Sequence, residues 1–341
     1  MIVGQGLAGT ALAWRLWKRG VAFLIVDREE PVTSSKIAAG LLTPVTGMRI
    51  SLSKGYADQW PAAVEFYREL EVRLGASFFH EVPHVRLFKN EVETGRWMAK
   101  REREEFAPFV HHSEPLLDET VFRNPRGGFE MKNAGRLDTE IYLALSRRHF
   151  QGEECYECGD VCDVISTENG VRWSGQSFSH VVWCHGWEAA AHPMFRWVPF
   201  KSARGTILRV KADLGDEQRV VHHGCWMVPQ GQGMVRVGST YDTALMDPFV
   251  TTKADIEILA QRMNTALKVP HEVCEFASAV RPIIAAQRTL IGRHPADDRI
   301  CFFNGLASKG ALRAPHYARL LSEHLLDGAP LPVECDLRSN L

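Results

Sequence analysis

The residues with the clearest chemical use come first. Met1-Ile-Val-Gly4-Gln-Gly6-Leu7-Ala8-Gly9 places a GxGxxG string directly after a short apolar run, and an acid, Asp27, closes a second apolar run over residues 21–26. A βαβ unit holds a dinucleotide this way. Gly4 permits the tight turn, Gly6 lets the main chain approach a pyrophosphate, Gly9 lets the helix pack against its strand, and the acid receives a ribose hydroxyl. Glycines also punctuate ordinary turns, so the weight rests on order. Leu12, Ala13, Leu16 and Trp17 recur at helical spacing between Gly9 and an Arg19-Gly20 stop, which completes strand, turn, helix, strand and acid in sequence. The first strand has room for residues 1–3 only, shorter than the usual five or six. That leaves open a start further upstream.

The elements that must position these residues follow from periodicity. Residues 31–44 are small and hydroxyl-rich without a period, a loop that lets a ligand come close. A helix is predicted over Tyr56–Leu74 with Gly75 as its stop, a strand over Phe78–Leu87, and a charged, solvated helix over Thr94–Phe106. Residues 127–135 read as strand and turn, and Asp138 as the cap of a helix through Tyr142 and Leu145. Strands are predicted over Val161–Ile165, Val171–Trp173 and from Val181 to Gly186, then antiparallel strands over Gly205–Val210, Gly224–Val228 and Met234–Gly238. A helix over Thr252–Leu267, a buried strand at Ile300–Phe303 and a last helix over Ala314–Leu326 complete the chain. The fold class is α/β: a nucleotide-binding Rossmann domain built from residues 1–82, 135–195 and 281–341, interrupted by a mostly antiparallel sheet domain from 83–134 and 196–280.

Composition bounds the function. With 341 residues, 45% of them hydrophobic, the chain can bury a large core and form more than one domain. Forty basic against 41 acidic residues leave a net charge of −1, so no global field recruits nucleic acid or an anionic membrane. No stretch reaches the roughly twenty apolar residues of a membrane span, and the N-terminus reads as a strand rather than a leader. A cytoplasmic location without membrane association is the expectation. The eight cysteines are too sparse for a disulfide-stapled scaffold, and most are expected to be buried thiols. Cys155, Cys158 and Cys162 are spaced for a metal but lack a fourth ligand, so no metal is expected.

Four separated motifs resemble those of the D-amino-acid oxidase and glycine oxidase family of FAD-dependent oxidoreductases. They are the opening GxGxxG with Asp27, "TSSKIAAGLLTP" at 33–44, "AVRPIIAAQRTLIGRHP" at 279–295, and "NGLASKGALRAP" at 304–315. The last is also similar to the flavin loop, G-L-G-S-R-G-L, of the bifunctional enzyme that completes 5-methylaminomethyl-2-thiouridine in tRNA, with Lys309 in the basic position. The resemblance implies a glutathione-reductase-like FAD domain. It places Gly4, Gly6, Leu7, Ala8, Gly9, Asp27, Arg28 and Val161 on the adenosine half. Ser34 and Ser35 fall on the pyrophosphate, with Ala38, Ala39, Gly40, Leu41, Gly186, Gly305, Leu306, Ala307, Ser308, Lys309, Gly310 and Ala311 around the flavin. A helix beginning after that loop would stabilise negative charge on the flavin's pyrimidine edge, and Lys309 either adds to it or points into solvent.

The same resemblance puts Arg281 above the flavin as the anchor of a substrate carboxylate, a role suited to the rigid fork of a guanidinium. The alternative for Arg281 is an internal ion pair. Trp226 is either an aromatic wall over the substrate or core, and Tyr241 and His185 are weaker candidates. The implied reaction is oxidation of the C–N bond of a small amine or amino acid, glycine-, D-amino-acid- or sarcosine-like. It proceeds by hydride transfer to flavin N5, giving an imine that hydrolyses. Molecular oxygen or another acceptor would then take the electrons. Two alternatives are oxidative removal of a carboxymethyl group from a modified tRNA uridine, which alone would make nucleic acid a partner, and a non-catalytic flavin-binding protein.

Overall fold

The computed structural model describes residues 1–111, 113–244, 247 and 250–340. Its first sheet has six strands in the order Tyr156–Cys158, Ile25–Asp27, Ile2–Val3, Val181–Trp183, Asp297–Asn304 and Leu290–His294. The first five run parallel and the last pairs antiparallel. Its central strands are apolar throughout because both faces are covered. Ile2, Ile25, Val182, Cys301 and Phe303 pack with helices Leu7–Lys18, Tyr56–Leu74, Thr139–Gly152 and Gly310–Asp327. Val3, Val26, Val181, Trp183 and Phe302 turn the other way, toward Phe195 and Val171. The opening strand is two residues long yet is paired on both sides, through Ile2 to Ile25 and Val182.

The second sheet has seven strands, ordered His271–Arg281, Ala203–Ala212, Met234–Gly238, Trp226–Gly231, Val220–His222, His84–Leu87 and Gly128–Met131. All its pairings are antiparallel except that of Val220–His222 with His84–Leu87. Alternation assigns its faces. Leu208, Val210 and Val237 pack on Leu259 and Met263 of helix Lys253–Ala266, which Thr252 and Asp255 close with reciprocal capping hydrogen bonds. Gly205 and Ile207 face the opposite way, toward the first sheet's cavity.

Several elements depart from the sequence expectation. The last helix begins at Gly310, not Ala314. Pro315 looks like a helix start, but it lies in the second turn, and the Ala311 carbonyl that its missing N–H would have satisfied accepts instead from the Tyr67 hydroxyl at 2.8 Å. The charged helix is confined to Glu91–Met98, capped by Asn90. The rest is turn and one short 3₁₀ segment at Glu104–Phe106, which buries Phe106 edge-on to Trp97. The strand expected over 161–165 is not formed there, apart from Ile165 itself; the strands are Tyr156–Cys158 and Ile165–Thr167, with Val161 buried between. Residues 78–87 split into Phe79–Glu81 and His84–Leu87, which belong to different sheets. Four of the eight cysteines, not most, are buried, and Cys158 and Cys162 are exposed. Among the described residues no group of three or more His, Cys, Asp or Glu could hold a metal, and no helix is long and apolar enough to cross a membrane.

Burial also sets an acid limit on this fold. His84, 2% exposed and hydrogen-bonded to Thr43 through Nδ1, has its pKa lowered to about 3 by desolvation, as does His222. Both are neutral when folded, whereas the unfolded chain takes up protons below about pH 6.5. Their stabilisation is therefore present above that pH and is lost as pH falls toward about 3, with a slope of up to about 1.4 kcal/mol per pH unit for each. The melting temperature is expected to decline between pH 6.5 and pH 4, and less steeply in His84→Gln; a flat profile would contradict this.

Candidate active site

The glycine turn leaves the first strand with Gly4 at φ +98°, where a Cβ would sit 2.8 Å from the Cys184 carbonyl. A Cβ on Gly9 would meet the Gly4 carbonyl oxygen at 1.9 Å, so strand and first helix touch main chain to main chain. Ser35 lies across the start of that helix, its hydroxyl accepting from the Leu7 N–H at 3.1 Å. Asp27 accepts from the N–H groups of Gln5 at 2.6 Å and Glu29 at 2.8 Å, which holds its carboxylate at the strand end. Arg147, from helix Thr139–Gly152, reaches this corner, 3.7 Å from Asp27 and 3.4 Å from Glu29, while donating to Gln5 Oε1 at 3.0 Å. Arg28 pairs with Glu188 at 2.5 Å.

Two cavities open here. One is lined by Gly4, Asp27, Arg28, Val161, Trp183 and His185. The other is lined by Leu7, Ala8, Ala38, Ala39, Gly40, Leu41, Trp226, Arg281, Leu306, Ala307, Ser308, Gly310 and Ala311. Both include Gly6, Ser34, Ser35, Cys184, Gly186 and Ala279, so they form one continuous slot. Gly305 shapes its far end without lining it: at φ +82° its Cβ would lie 2.4 Å from the Arg288 carbonyl oxygen.

The slot has the chemistry of an FAD site. The first and last helices both present their N-termini to it and abut there, since a Cβ on Gly310 would lie 2.7 Å from Leu7 Cδ1. Neither has an acid in its first turn, so the partial positive charge of both ends is left for a ligand. In the first cavity Trp183 Nε1 and both ring nitrogens of His185 are buried without a hydrogen-bond partner, as expected of groups awaiting a polar ligand. Ser34, Ser35 and the helix N-termini would hold the pyrophosphate, Asp27 and Val161 the adenosine, and residues 38–41 and 306–311 the isoalloxazine.

Arg281 ends the edge strand of the second sheet and turns into the slot. Its Nη2 donates to Ser239 Oγ at 2.7 Å and to the Thr240 carbonyl at 3.4 Å, and Nη1 to the Arg204 carbonyl at 3.5 Å. Among the described residues no carboxylate pairs with it, and burial lowers its pKa. Room for the guanidinium comes from Gly205, where a Cβ would fall 1.8 Å from Nη2. Trp226 lies against Gly238, whose Cβ would come within 2.6 Å of the indole ring. Lys309 is neither in the cavity lining nor in solvent: its Nζ donates to Ser53 Oγ at 2.7 Å, and burial lowers its pKa to about 8. His185 belongs to the adenosine end, away from Arg281, and Tyr241 is 64% exposed.

Sequence reasoning missed Arg147, Ser239, Gly205 and Gly238. Arg147 reads as one more charge on a helix, and Ser239 carries no motif. Gly205 and Gly238 did carry a signal, since a glycine at or inside a strand marks a close approach.

A βαβ slot with two helix N-termini and a cavity floored by a second sheet defines a flavin-dependent oxidoreductase. The family model described as FAD dependent oxidoreductase matches residues 1–324, and the chain belongs to that family, with FAD as its cofactor. It is 23% identical to a glycine oxidase of Bacillus licheniformis over 98% of this chain and 94% of that protein. It is 27% identical to the glycine oxidase of Bacillus subtilis (strain 168), over 58% of this chain and 52% of that protein. Among solved structures, an iminodiacetate oxidase from Chelativorans sp. BNC1 superposes with a TM-score of 0.78 at 19% identity, covering 98% of this chain and 97% of that one. A glycine oxidase from Geobacillus kaustophilus gives 0.77 at 19%, covering 97% and 94%.

Proposed function

We propose that the protein oxidises the C–N bond of a small amine that carries a carboxylate, an amino acid or an N-substituted glycine. The observation that carries this reading is Arg281: a largely buried guanidinium in the lining of the flavin-side cavity, held by a hydroxyl and carbonyls, with no carboxylate partner among the described residues. Desolvating such a cation without a counter-charge is costly, and a substrate carboxylate offsets the cost.

FAD, when bound, would accept the hydride of the substrate's α-C–H bond, while the amine lone pair completes the imine C=N bond. Arg281 fixes one end of the substrate, and Trp226, Ile207 and Leu41 form an apolar wall that excludes water and limits its rotation. Among the described residues lining this cavity the only ionisable side chains are Arg281 and the Cys184 thiol, whose pKa burial pushes far up. Neither of these is placed to take a proton from the amine, which is expected to bind in its neutral form. The imine that leaves hydrolyses in water.

An anaerobic visible spectrum tests this, recorded before and after adding glycine, sarcosine, N-substituted glycines, proline and other D- and L-amino acids. Bleaching of the oxidised-flavin band near roughly 450 nm by at least one of these is the expected result. A band that none bleaches overturns the proposal, and the carboxymethyl group of a modified tRNA uridine becomes the next substrate to try.

A further inference from the structure

A second cation, Arg136, stands beside the substrate cavity, next to the lining residue Leu41 though not itself in the lining. Strands Leu41–Leu42, Gly135–Leu137 and Phe79–Glu81 form a small sheet in which Arg136 is the direct cross-strand neighbour of both Leu41 and His80. The three side chains therefore share one face. Leu42, Leu137 and Phe79, on the other face, belong to the helix-packed core. The face that carries Arg136 is turned to the second sheet, because Leu41 lines the flavin-side cavity and packs in one cluster with Val228 and Trp226.

The second sheet answers with cations of its own. Val228 pairs with Arg236 and Arg236 with Arg209, one row, about 7 Å, beyond the row of Trp226, Gly238 and Ile207. These two arginines are satisfied. Arg236 donates to the Ala38 carbonyl at 3.0 Å and to Glu140 at 2.9 Å; Arg209 pairs with Glu140 at 3.0 Å and Glu275 at 3.5 Å. Asp138, beside Arg136 on its own strand's exit, accepts from the Ile141 N–H and caps a helix. Arg136 alone has neither ion pair nor hydrogen bond among the described residues. Burial lowers its pKa, the Asp138 charge opposes that, and the Arg236 charge adds to it. Arg136 in turn lowers the pKa of His80, behind the larger effect of burial. A partly desolvated guanidinium near a second guanidinium, with Glu140 paired to two arginines and only the helix-capping Asp138 as a countercharge among the described residues, is an arrangement an anion would relieve.

We infer that Arg136 is a second anion-binding residue of the substrate site, taking an oxyanion, carboxylate or phosphate, at the end of the substrate remote from the Arg281-bound carboxylate. The inference rests on the reading of the cavity as an amine-oxidation site, and it narrows the substrate class to amines with two acidic groups, one on each side of the reacting nitrogen. Along the second sheet the order runs from Arg281 past Gly205 to the row of Ile207, Gly238 and Trp226 and then to the row of Arg209, Arg236 and Val228, where Arg209 and its partner Glu140 are 41% and 48% exposed.

A near-isosteric series tests it on the holoenzyme: N-propylglycine, N-(2-carboxyethyl)glycine and N-(2-phosphonoethyl)glycine. The wild type is expected to favour the doubly acidic compounds, and the choice between carboxylate and phosphonate identifies the anion. Arg136→Gln should lose about 10- to 100-fold in kcat/KM for them, the range of a charged hydrogen bond, while N-propylglycine is unaffected; Arg136→Lys should keep part of the preference. FAD content and melting temperature equal to wild type show that the variants fold, and the lysine variant decides if the glutamine variant does not. Binding is read separately from turnover with the ether 3-(carboxymethoxy)propanoate, which has no amine to oxidise, through its shift of the flavin spectrum. Weaker ether binding in Arg136→Gln, with no amine bleaching the flavin, would leave the subsite standing and remove the amine-oxidation reading. Oxidation of N-propylglycine with unchanged ether affinity and unchanged substrate preference in Arg136→Gln would do the reverse. Failure of every doubly acidic compound to bind also overturns the subsite.

Discussion

Arg281→Ala is expected to retain FAD and to lose about 10²- to 10³-fold in kcat/KM toward carboxylate-bearing amines. The cofactor loops at 4–9, 34–41 and 305–311 do not depend on the guanidinium, whose contacts are Ser239, Thr240 and Arg204. Truncating one partner of a hydrogen-bonded, desolvated charge pair costs about 2–5 kcal/mol, a span that contains the loss expected here. Because the carboxylate is held alike before and during the reaction, most of the loss should appear in KM rather than kcat. Gly205→Ala checks the same site from the other side. Its methyl group would occupy the space of Nη2, so the arginine, present but displaced, should lose a large part of the same activity while the flavin spectrum stays unchanged. Full activity in both variants would remove Arg281 from the substrate site.

The second large effect separates two glycines of one motif. Gly9→Ala places a methyl group 1.9 Å from the Gly4 carbonyl oxygen and 3.2 Å from Ile2 Cγ2, a collision with main chain that no rotamer change relieves. The first helix must back away from its strand, at a cost on the order of 3 kcal/mol or more, and a protein both less stable and free of flavin is expected. Gly6→Ala meets only the Ser35 hydroxyl, at 2.9 Å, which a rotation moves aside. That variant should keep its melting temperature without added cofactor within a few degrees of the wild-type apoprotein, yet bind FAD poorly, because the methyl group stands where the pyrophosphate approaches. Thermal melts with and without added FAD distinguish the two. A yellow, fully loaded Gly6→Ala protein would defeat the placement of the cofactor.

What could be read from the chain follows the reach of each physical rule. Gly4, Gly6, Gly9 and Asp27 answer to local geometry, a turn, a close approach and a strand end within 27 residues, so pattern alone located them. The helix Tyr56–Leu74 was legible for the same reason, with an apolar stripe and a Gly75 stop at φ +63°. Lys309 shows where that reach ends. Whether it faces flavin or solvent could not be weighed from its neighbours, because the group that holds it, Ser53, lies 256 positions away. Gly205 offered half a signal, a glycine in a strand, but the guanidinium it accommodates belongs to a partner strand seventy-six positions on. Arg136 offered none: its importance comes from two sheets facing one another, and composition within a three-residue strand says nothing of that. The misplaced start of the last helix has a different cause. Pro315 obeys a sound local rule, and a tertiary contact, the Tyr67 hydroxyl, overrides it.

The two helices that meet over the slot come from opposite ends of the chain, one beginning at Leu7 and the other at Gly310. During synthesis, then, the glycine turn has no opposing wall until about three hundred further residues have been added. Such long-range closure is slow and leaves the sheet edges open meanwhile. FAD has affinity only for the assembled slot, so its concentration sets how firmly the late-arriving helix is kept in place, by mass action on the folded state. Scarcity of the cofactor would thus be felt as loss of protein as well as loss of turnover.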